Sequence, residues 1–316
     1  MALTPINPDK FRDPQRTLDG SARANVAMRA LETLWFNTGT LCNIACAHCY
    51  IESSPVNDAL DYLRRDEVTA FLDEIRDAAL PVAEIGFTGG EPFMNPDILE
   101  MLQASLVRGF RVLVLTNAMQ PMRRPAIMQG LNRLRTAYGG MLSLRVSLDH
   151  YTKELHEKER GARSWDAALG GMKDLAVSGF SVKVAGRLCW DADEAAARAG
   201  YARLFAENGF PVDAADPAQL VLFPEMDAKA DVPEITTACW GILNKRPDDV
   251  MCASSRMVIK RKGAARPVVV ACTLLPYDPR FEMGETLAAA SAPVILNHPH
   301  CAKFCVLGGA SCSAGS

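Results

Sequence analysis

Six short apolar runs alternate with helix-like stretches between residues 34 and 223, and this alternation constrains the fold more than any other feature. The runs have strand-like length and composition and lie at 34–39, 83–88, 111–116, 141–147, 181–187 and 219–223. Apolar residues at helical spacing, with Asp, Asn or Ser near several starts, lie between them at 66–79, 95–108, 164–178 and 193–208. A strand-helix repeat of roughly 25 to 40 residues suits βαβ units. The pattern predicts a parallel α/β fold whose chemistry lies at the carboxyl ends of the strands.

Composition and charge exclude several classes of protein. Of the 316 residues 49% are apolar, which is ordinary globular usage. The formal charge of -3 gives no field that would gather nucleic acid, so a nucleic-acid partner is disfavoured. No signal peptide is visible, and no apolar stretch reaches the roughly 18 residues that a membrane span requires. We therefore expect a cytoplasmic protein without a membrane partner, whose ten cysteines stay reduced and serve as metal ligands where they cluster.

The chain divides into four expected segments. They are an N-terminal arm at 1–32, a barrel-like domain at 33–224, a connector at 225–250 and a Cys-rich domain at 251–316. In the last segment, β-rich runs at 257–260 and 267–272 flank a polar stretch that contains Gly263, a pattern typical of a hairpin. The tail from 298 onward is too irregular in sequence to predict a helix.

Three cysteines, Cys42, Cys46 and Cys49, follow the first predicted strand at spacings of four and three positions. Three thiolates can hold three irons of a [4Fe–4S] cluster and leave the fourth iron open to a small molecule. Two alternatives remain at this point: cysteines packed as small apolar residues, or a zinc site that lacks one ligand. The spacing and the position after a strand favour the cluster.

Polar motifs at the ends of three later strands accompany the triplet. They are Gly89-Gly90-Glu91-Pro92, Thr116-Asn117 and Ser147-Leu148-Asp149. Together with the cysteines, these motifs resemble the radical S-adenosylmethionine (SAM) superfamily, whose signature has an aromatic residue before the third cysteine, a place that His48 takes here. The resemblance implies a partial (β/α)6 TIM-like barrel that binds a [4Fe–4S] cluster through the three cysteines and SAM at the open iron.

The resemblance also implies roles for the first set of strand-end residues. Gly89 and Gly90 would let the backbone approach the SAM amino group while the Glu91 carboxylate faces the ammonium, in a motif that Pro92 completes. Tyr50 would contribute its backbone to the adenine.

Residues of the later strands would complete the SAM site by the same resemblance. Thr116 and Asn117 stand where the family often has Thr-Asn-Gly, with Ala118 in place of the glycine. Ser147 and Asp149 would lie near the ribose and the methionine end of SAM.

Two arginines compete for the SAM carboxylate, and the site as a whole implies a reaction. Arg187 closes the fifth strand, and Arg160, in His-Glu-Lys-Glu-Arg-Gly at 156–161, is its rival. By resemblance, one electron from a flavodoxin or ferredoxin-type reductant would cleave SAM to a 5′-deoxyadenosyl radical, which abstracts a hydrogen atom from the substrate.

A second group of cysteines lies around and after the hairpin. Its members are Cys252, Cys272, Cys301, Cys305 and Cys312. Strand pairing in the hairpin can bring Cys252 and Cys272 together. The arrangement resembles the twitch or SPASM extensions of radical SAM enzymes and implies one auxiliary [4Fe–4S] cluster, with the choice among the last three cysteines open. Structural zinc is the alternative.

The resemblance leaves the substrate open between two classes. A peptide or protein side chain is favoured, and a small metabolite or cofactor precursor is the alternative. An iron–sulfur electron carrier without catalysis is a third hypothesis, which the SAM-binding motifs oppose. Five basic residues cluster on the predicted hairpin: Arg256, Lys260, Arg261, Lys262 and Arg266. They fit either a solvated turn or a docking site for an acidic peptide.

Overall fold

The structure, a computed structural model, describes residues 5–188, 190, 193–225 and 229–309. In that part of the chain the strands are β1 (Asn25–Val26), β2 (Thr33–Asn37), β3 (Glu84–Thr88), β4 (Arg111–Thr116), β5 (Leu142–Ser147), β6 (Ser181–Arg187), β7 (Leu220–Phe223), β8 (Ser255–Ile259), β9 (Val268–Val270) and β10 (Val294–Ile295). The α-helices are α1 (Arg65–Asp77), α2 (Ile98–Val107), α3 (Gln120–Arg123), α4 (Pro125–Tyr138), α5 (Lys153–Arg160), α6 (Ser164–Val177), α7 (Glu194–Asn208) and α8 (Cys239–Ile242).

Eight of these strands form one sheet in the order β7-β6-β5-β4-β3-β2-β8-β9. Every neighbouring pair from β2 to β7 is parallel, which confirms the predicted parallel α/β architecture. The strands are nearly continuous apolar runs because both faces of the sheet are covered, one by the helices and the other by the N-terminal arm and the C-terminal segment. All five residues of β2 are buried, and Phe36 stacks on Phe87 of β3 with ring centroids 5.6 Å apart.

The predicted helices correspond to α1, α2, α6 and α7, whereas α4 and α5 were not predicted. Helix α5 is short and largely charged, with the sequence KELHEKER, so it lacks the wide apolar stripe on which a helix prediction depends. No helix in the described part of the chain is long and apolar enough to cross a membrane.

The predicted hairpin exists as β8 and β9, and it belongs to the main sheet. Strand β8 pairs in parallel with β2, in a register that sets Thr33 opposite Ser255, and β9 pairs antiparallel with β8. All residues of β8 are buried, and the strand pairs with an edge of β2 that would otherwise be unpaired. The hairpin therefore extends the barrel sheet beyond its first strand.

The N-terminal arm packs against the segments that follow the barrel. Strand β1 pairs antiparallel with β10, and the Ala24 amide donates to the Ile235 carbonyl at 2.9 Å. Arg23 and Glu234 form a buried ion pair with a 2.5 Å separation. The described residues of the arm contain no helix, and these contacts tie it to the connector and to the C-terminal segment.

Gly86 of β3 provides a test of the barrel packing. A Cβ at this position would lie 2.3 Å from the Trp35 ring, which is itself fully buried. We expect Gly86→Ala to lower the free energy of unfolding by about 1–3 kcal/mol, because the indole has no room to move away. Gly140→Ala is the matched control, since nothing lies within 4 Å of its Cβ position. Equal urea midpoints for the two variants would contradict the expectation.

Candidate functional site

The cysteine triplet and the strand-end motifs meet around one cavity of about 140 Å³ at the carboxyl-end edge of the barrel strands. Its lining includes Cys42, Cys46, Cys49, Tyr50, Gly89, Gly90, Thr116, Asn117, Ser147, Asp149 and Arg187. Glu91 and Pro92 are buried behind this lining. Residues from five strand ends thus converge on one place, as parallel strands require.

The three thiols suit a metal that binds thiolates. Burial is the main cause that raises the pKa of Cys42 to about 12 and that of Cys46 to about 11, and negative charge on neighbouring groups contributes to both shifts. Thiolates gathered in this way are costly unless a metal cation compensates their charge. Soft sulfur donors around a cavity fit an iron–sulfur cluster.

Glu91 lies beneath the cavity and connects it to the cysteine loop. Its carboxylate is 1% exposed and accepts hydrogen bonds from the Thr116 hydroxyl at 2.8 Å and from the amides of Phe93 and Asn117 at 3.2 and 2.9 Å. The Asn117 side-chain amide in turn approaches the Cys42 sulfur at 3.9 Å. Burial raises the pKa of Glu91 to about 7. The resemblance implied that this carboxylate faces the SAM ammonium, whereas in the structure protein donors occupy both of its oxygens.

The two glycines before Glu91 are required by the cysteine loop itself. A Cβ on Gly90 would lie 2.1 Å from the Leu41 carbonyl oxygen, and the Gly90 amide donates to the Gly39 carbonyl at 2.8 Å. Gly89 has a φ of +136°, which side chains rarely tolerate. The turn after β3 therefore lies directly against the backbone of the loop after β2.

Ala118 occupies the place of the glycine in the family's Thr-Asn-Gly motif. Its φ is 57°, in the left-handed region that glycine favours. The turn is held by hydrogen bonds from the Ala118 amide to the Thr116 hydroxyl and from the Met119 amide to the Asn117 side chain, both at 3.0 Å. The polar pair keeps the turn without the glycine.

Both candidate arginines are paired with carboxylates. The Arg160 guanidinium donates to Asp149 at 3.1 Å, and its Nε lies 2.7 Å from the other Asp149 oxygen. Arg187 lies 2.6 Å from Glu159, a buried residue that the sequence reasoning missed. Glu159 lies in a charged segment, and the sequence alone would predict a solvated side chain. Only the tertiary structure shows that it is buried.

Four of the second group of cysteines line a separate small cavity. These residues are Cys252, Cys272, Cys301 and Cys305, and His300 lies beside them. The last two are one turn apart in a π-helix, Cys301–Leu307, so the expectation of an irregular tail was wrong over these residues. Cys312 lies outside the described residues.

The two cysteine groups lie at opposite ends of neighbouring strands. Cys252 comes just before β8, which runs parallel to β2, while the triplet follows β2. In the described part of the chain, no three His, Cys, Asp or Glu side chains converge tightly enough to hold a single metal ion. The fit to a cluster rests on the donor chemistry and on the placement of the sulfurs around each cavity.

Arg256 supplies a buried positive charge beside the second group. It is 1% exposed, and its guanidinium donates to the carbonyls of Cys252, Ser255, Ala290 and Ala292. It forms no ion pair with a carboxylate among the described residues, and its charge acts on the sulfurs of Cys252 and Cys272. A buried cation without an anion is costly, so a thiolate-bound metal centre fits this position.

The other basic residues of the hairpin are matched by acidic neighbours. The pairs are Lys260–Glu67 at 2.6 Å, Arg261–Glu282 at 2.7 Å, Lys262–Asp58 at 2.5 Å and Arg266–Glu285 at 3.6 Å. Arg256 is buried and so belongs to neither a solvated turn nor a docking surface, whereas for the other four residues the choice between these two hypotheses stays a prediction.

His156 is buried in α5, the helix that carries Glu159 and Arg160. Its ring packs edge-on against Trp165 with centroids 5.5 Å apart, and neither ring nitrogen has a hydrogen-bond partner among the described residues. Burial lowers the pKa of His156 to about 4. The imidazole is therefore neutral in the folded protein near pH 7.

Comparisons with known proteins show a similarity between part of this chain and radical SAM proteins. Residues 36–189 match the family described as the Radical SAM superfamily. The antilisterial bacteriocin subtilosin biosynthesis protein AlbA of Bacillus subtilis strain 168 is 34% identical over 145 residues, which cover 46% of this chain and 30% of AlbA. The Fe-coproporphyrin III synthase of Methanosarcina barkeri strain Fusaro is 31% identical over 148 residues, which cover 46% of this chain and 34% of the synthase. The matched segment spans about a third of each relative's length.

A solved structure with a similar fold is Streptococcus suis SuiB. Its complex with S-adenosylmethionine has a TM-score of 0.58 at 12% identity and covers 81% of this chain and 64% of SuiB. Its complex with the precursor peptide SuiA has a TM-score of 0.51 at 15% identity and covers 64% of this chain and 41% of SuiB. This likeness concerns the fold, and it confirms the predicted TIM-like α/β architecture.

The buried His156 makes stability depend on pH. The folded protein resists protonation of this ring until about pH 4, whereas an unfolded histidine binds its proton near pH 6.5. Stability is therefore fully present above pH 6.5 and is lost as the pH falls toward 4. Between pH 7.5 and 5, we expect the wild type to lose about 2 kcal/mol more unfolding free energy than His156→Phe. Urea denaturation at both pH values measures this difference, and equal losses would contradict the assignment.

Proposed function

We propose that this chain is a radical SAM enzyme that modifies a peptide or protein side chain, because residues 36–189 match a superfamily whose members use a [4Fe–4S] cluster and SAM. The observation that carries the proposal is the cavity where the cysteine triplet meets the strand-end polar groups. An electron carrier would have no need of such groups beside its cluster.

The cysteine triplet is the proposed cluster site. Cys42, Cys46 and Cys49 would ligate three irons and leave the fourth to SAM. When bound, the cluster and SAM supply one-electron chemistry that removes a hydrogen atom from an unactivated C–H bond. A flavodoxin or ferredoxin-type protein is the proposed reductant.

The residues around the cavity would bind and orient SAM. The turn at Gly89 and Gly90 offers its backbone to the amino group, and Tyr50 offers its backbone to the adenine. Ser147 and Asp149 are proposed to lie near the ribose and methionine end.

The arginines and the buried carboxylate contribute differently. A guanidinium has five N–H donors, so Arg187 and Arg160 can each pair with a carboxylate and still donate to the SAM carboxylate. Glu91, with Pro92, is proposed to act from behind the wall by fixing Thr116 and Asn117 through hydrogen bonds.

The cavity also has apolar walls that would keep water from the reacting bond. Ile44, Leu115 and Phe223 line it together with the polar groups. A reactive carbon centre must be shielded from solvent and from stray reductant, and an apolar lining provides that shielding.

The second cysteine group is the proposed site of an auxiliary [4Fe–4S] cluster. Cys252, Cys272, Cys301 and Cys305 supply four sulfurs around one cavity, and the positive charge of Arg256 would offset the negative charge of a thiolate-bound cluster. Structural zinc is the competing occupant, and metal analysis of the anaerobically purified protein separates iron from zinc.

A peptide is the proposed substrate class, supported by one relative named for bacteriocin biosynthesis and by a similar fold that was solved with a precursor peptide. The similarity to an Fe-coproporphyrin III synthase favours a cofactor precursor as the second candidate. Anaerobic incubation with SAM, dithionite and either a short peptide encoded beside the gene or Fe-coproporphyrin III, followed by mass spectrometry, distinguishes them. Unchanged peptide together with altered porphyrin would reject the first candidate.

Loss of the triplet should abolish SAM cleavage. We expect Cys42→Ala/Cys46→Ala/Cys49→Ala to bind about four fewer irons per chain than the wild type and to release neither methionine nor 5′-deoxyadenosine with dithionite. Cys239→Ala is the matched control, because Cys239 lines neither cysteine cavity. Unchanged iron content in the triple variant would mean that the ligands are wrong.

Loss of the second cysteine group should distinguish the functions of the two cysteine sites. We expect Cys252→Ala or Cys272→Ala to lose the auxiliary cluster and substrate turnover while SAM is still cleaved without coupling. Iron analysis and product assays measure both effects. Full turnover in either variant would show that the second cluster is dispensable.

A further inference from the structure

The Glu159 carboxylate contacts the short stretch between the second and third cysteines. It accepts a hydrogen bond from the His48 amide at 2.9 Å and lies 2.8 Å from the His48 ring Nδ1. The backbone carbonyl of Glu159 accepts a further bond from the Ala47 amide at 2.8 Å. Both residues between Cys46 and Cys49 are therefore bound by one residue of α5.

This stretch of the cysteine loop has no regular secondary structure of its own. Residues 42–50 form neither a helix nor a strand, so their backbone groups need partners from elsewhere in the fold. The side chain of Glu159 is 2% exposed, whereas that of His48 is 66% exposed. The fixed partner is thus the carboxylate in the interior, and the loop residue is the one being held.

Arg187 pairs with the same carboxylate. Its guanidinium lies 2.6 Å from Glu159, and its own side chain is 10% exposed. The pair joins the end of β6 to the end of α5, both of which belong to the rigid barrel. A buried carboxylate needs such a partner to remain in place as an ion.

We propose that Glu159 is a positioning residue for the cluster-binding loop, which sets the spacing of Cys46 and Cys49 through its contacts with Ala47 and His48. In this assignment Arg187 acts on the loop by way of Glu159, in addition to any contact with SAM. The inference rests on the proposed role of Cys42, Cys46 and Cys49 as cluster ligands.

Iron release tests the assignment without reference to activity. The reconstituted protein is treated anaerobically with a ferrous chelator, and the rate of iron release is measured. Only the iron that is absent from the triple cysteine variant is counted, because this iron belongs to the triplet. The comparison is between the wild type and Glu159→Met/Arg187→Met, which removes the carboxylate together with its cation and leaves no unpaired buried charge. We expect release roughly 10–100-fold faster in the double variant, as for other residues that orient metal ligands.

Two further variants guard against a general loss of structure. Glu159→Gln retains one acceptor for the His48 amide and should release iron at an intermediate rate. Glu154→Gln, on the exposed first turn of the same helix, should match the wild type. Far-UV circular dichroism checks folding. If the double variant unfolds, the assignment is tested instead by comparing the iron-release rates of Glu159→Gln and Glu154→Gln.

The outcomes separate the two levels of the hypothesis. If the wild type holds no iron that depends on the triplet, the proposed cluster site is overturned. If the wild type holds this iron and releases it as fast as the double variant does, the role of Glu159 alone is overturned. Where the double variant unfolds, equal release from Glu159→Gln and Glu154→Gln overturns that role.

Discussion

Parallel pairing of β2, with β3 on one side and β8 on the other, is the constraint on which the rest of the molecule depends. It gathers the carboxyl ends of the barrel strands at one edge, where residues far apart in sequence meet. The cysteine loop follows β2 at this edge. It lies so close to the turn after β3 that only a glycine fits at position 90. The same pairing carries Cys252 toward the opposite edge, so one strand organises both cysteine groups.

Two buried carboxylates stabilise the irregular cysteine loop in different ways. Glu91 lies below it, is met by neutral donors and reaches the loop through Asn117. Burial raises the pKa of Glu91 to about 7. Glu159 lies on the α5 side and is matched by the guanidinium of Arg187. A loop without repeating backbone hydrogen bonds depends on such partners, and these two come from separate elements of the barrel.

Most of the strand pattern was predictable, whereas several residues of the site were not. The apolar runs predicted β2 to β7 because strands covered on both faces keep branched and aromatic residues throughout. Helix α5 was missed because its charged composition conceals a short buried face, and Glu159 was missed with it. Arg256 looked like a solvated cation of a turn, yet it is buried, since its guanidinium finds four backbone carbonyls that only the folded chain assembles.

Local sequence was sufficient for the parallel α/β class, the three-cysteine motif and the strand-end polar groups, because spacing along the chain and side-chain periodicity carry those features directly. Folding was needed to select Cys252, Cys272, Cys301 and Cys305 as one group and to place Glu91 behind the cavity wall. It was needed also to pair the basic hairpin with acidic neighbours. These outcomes depend on burial and on contacts between residues far apart in sequence, such as Lys262 and Asp58, which are 204 positions apart.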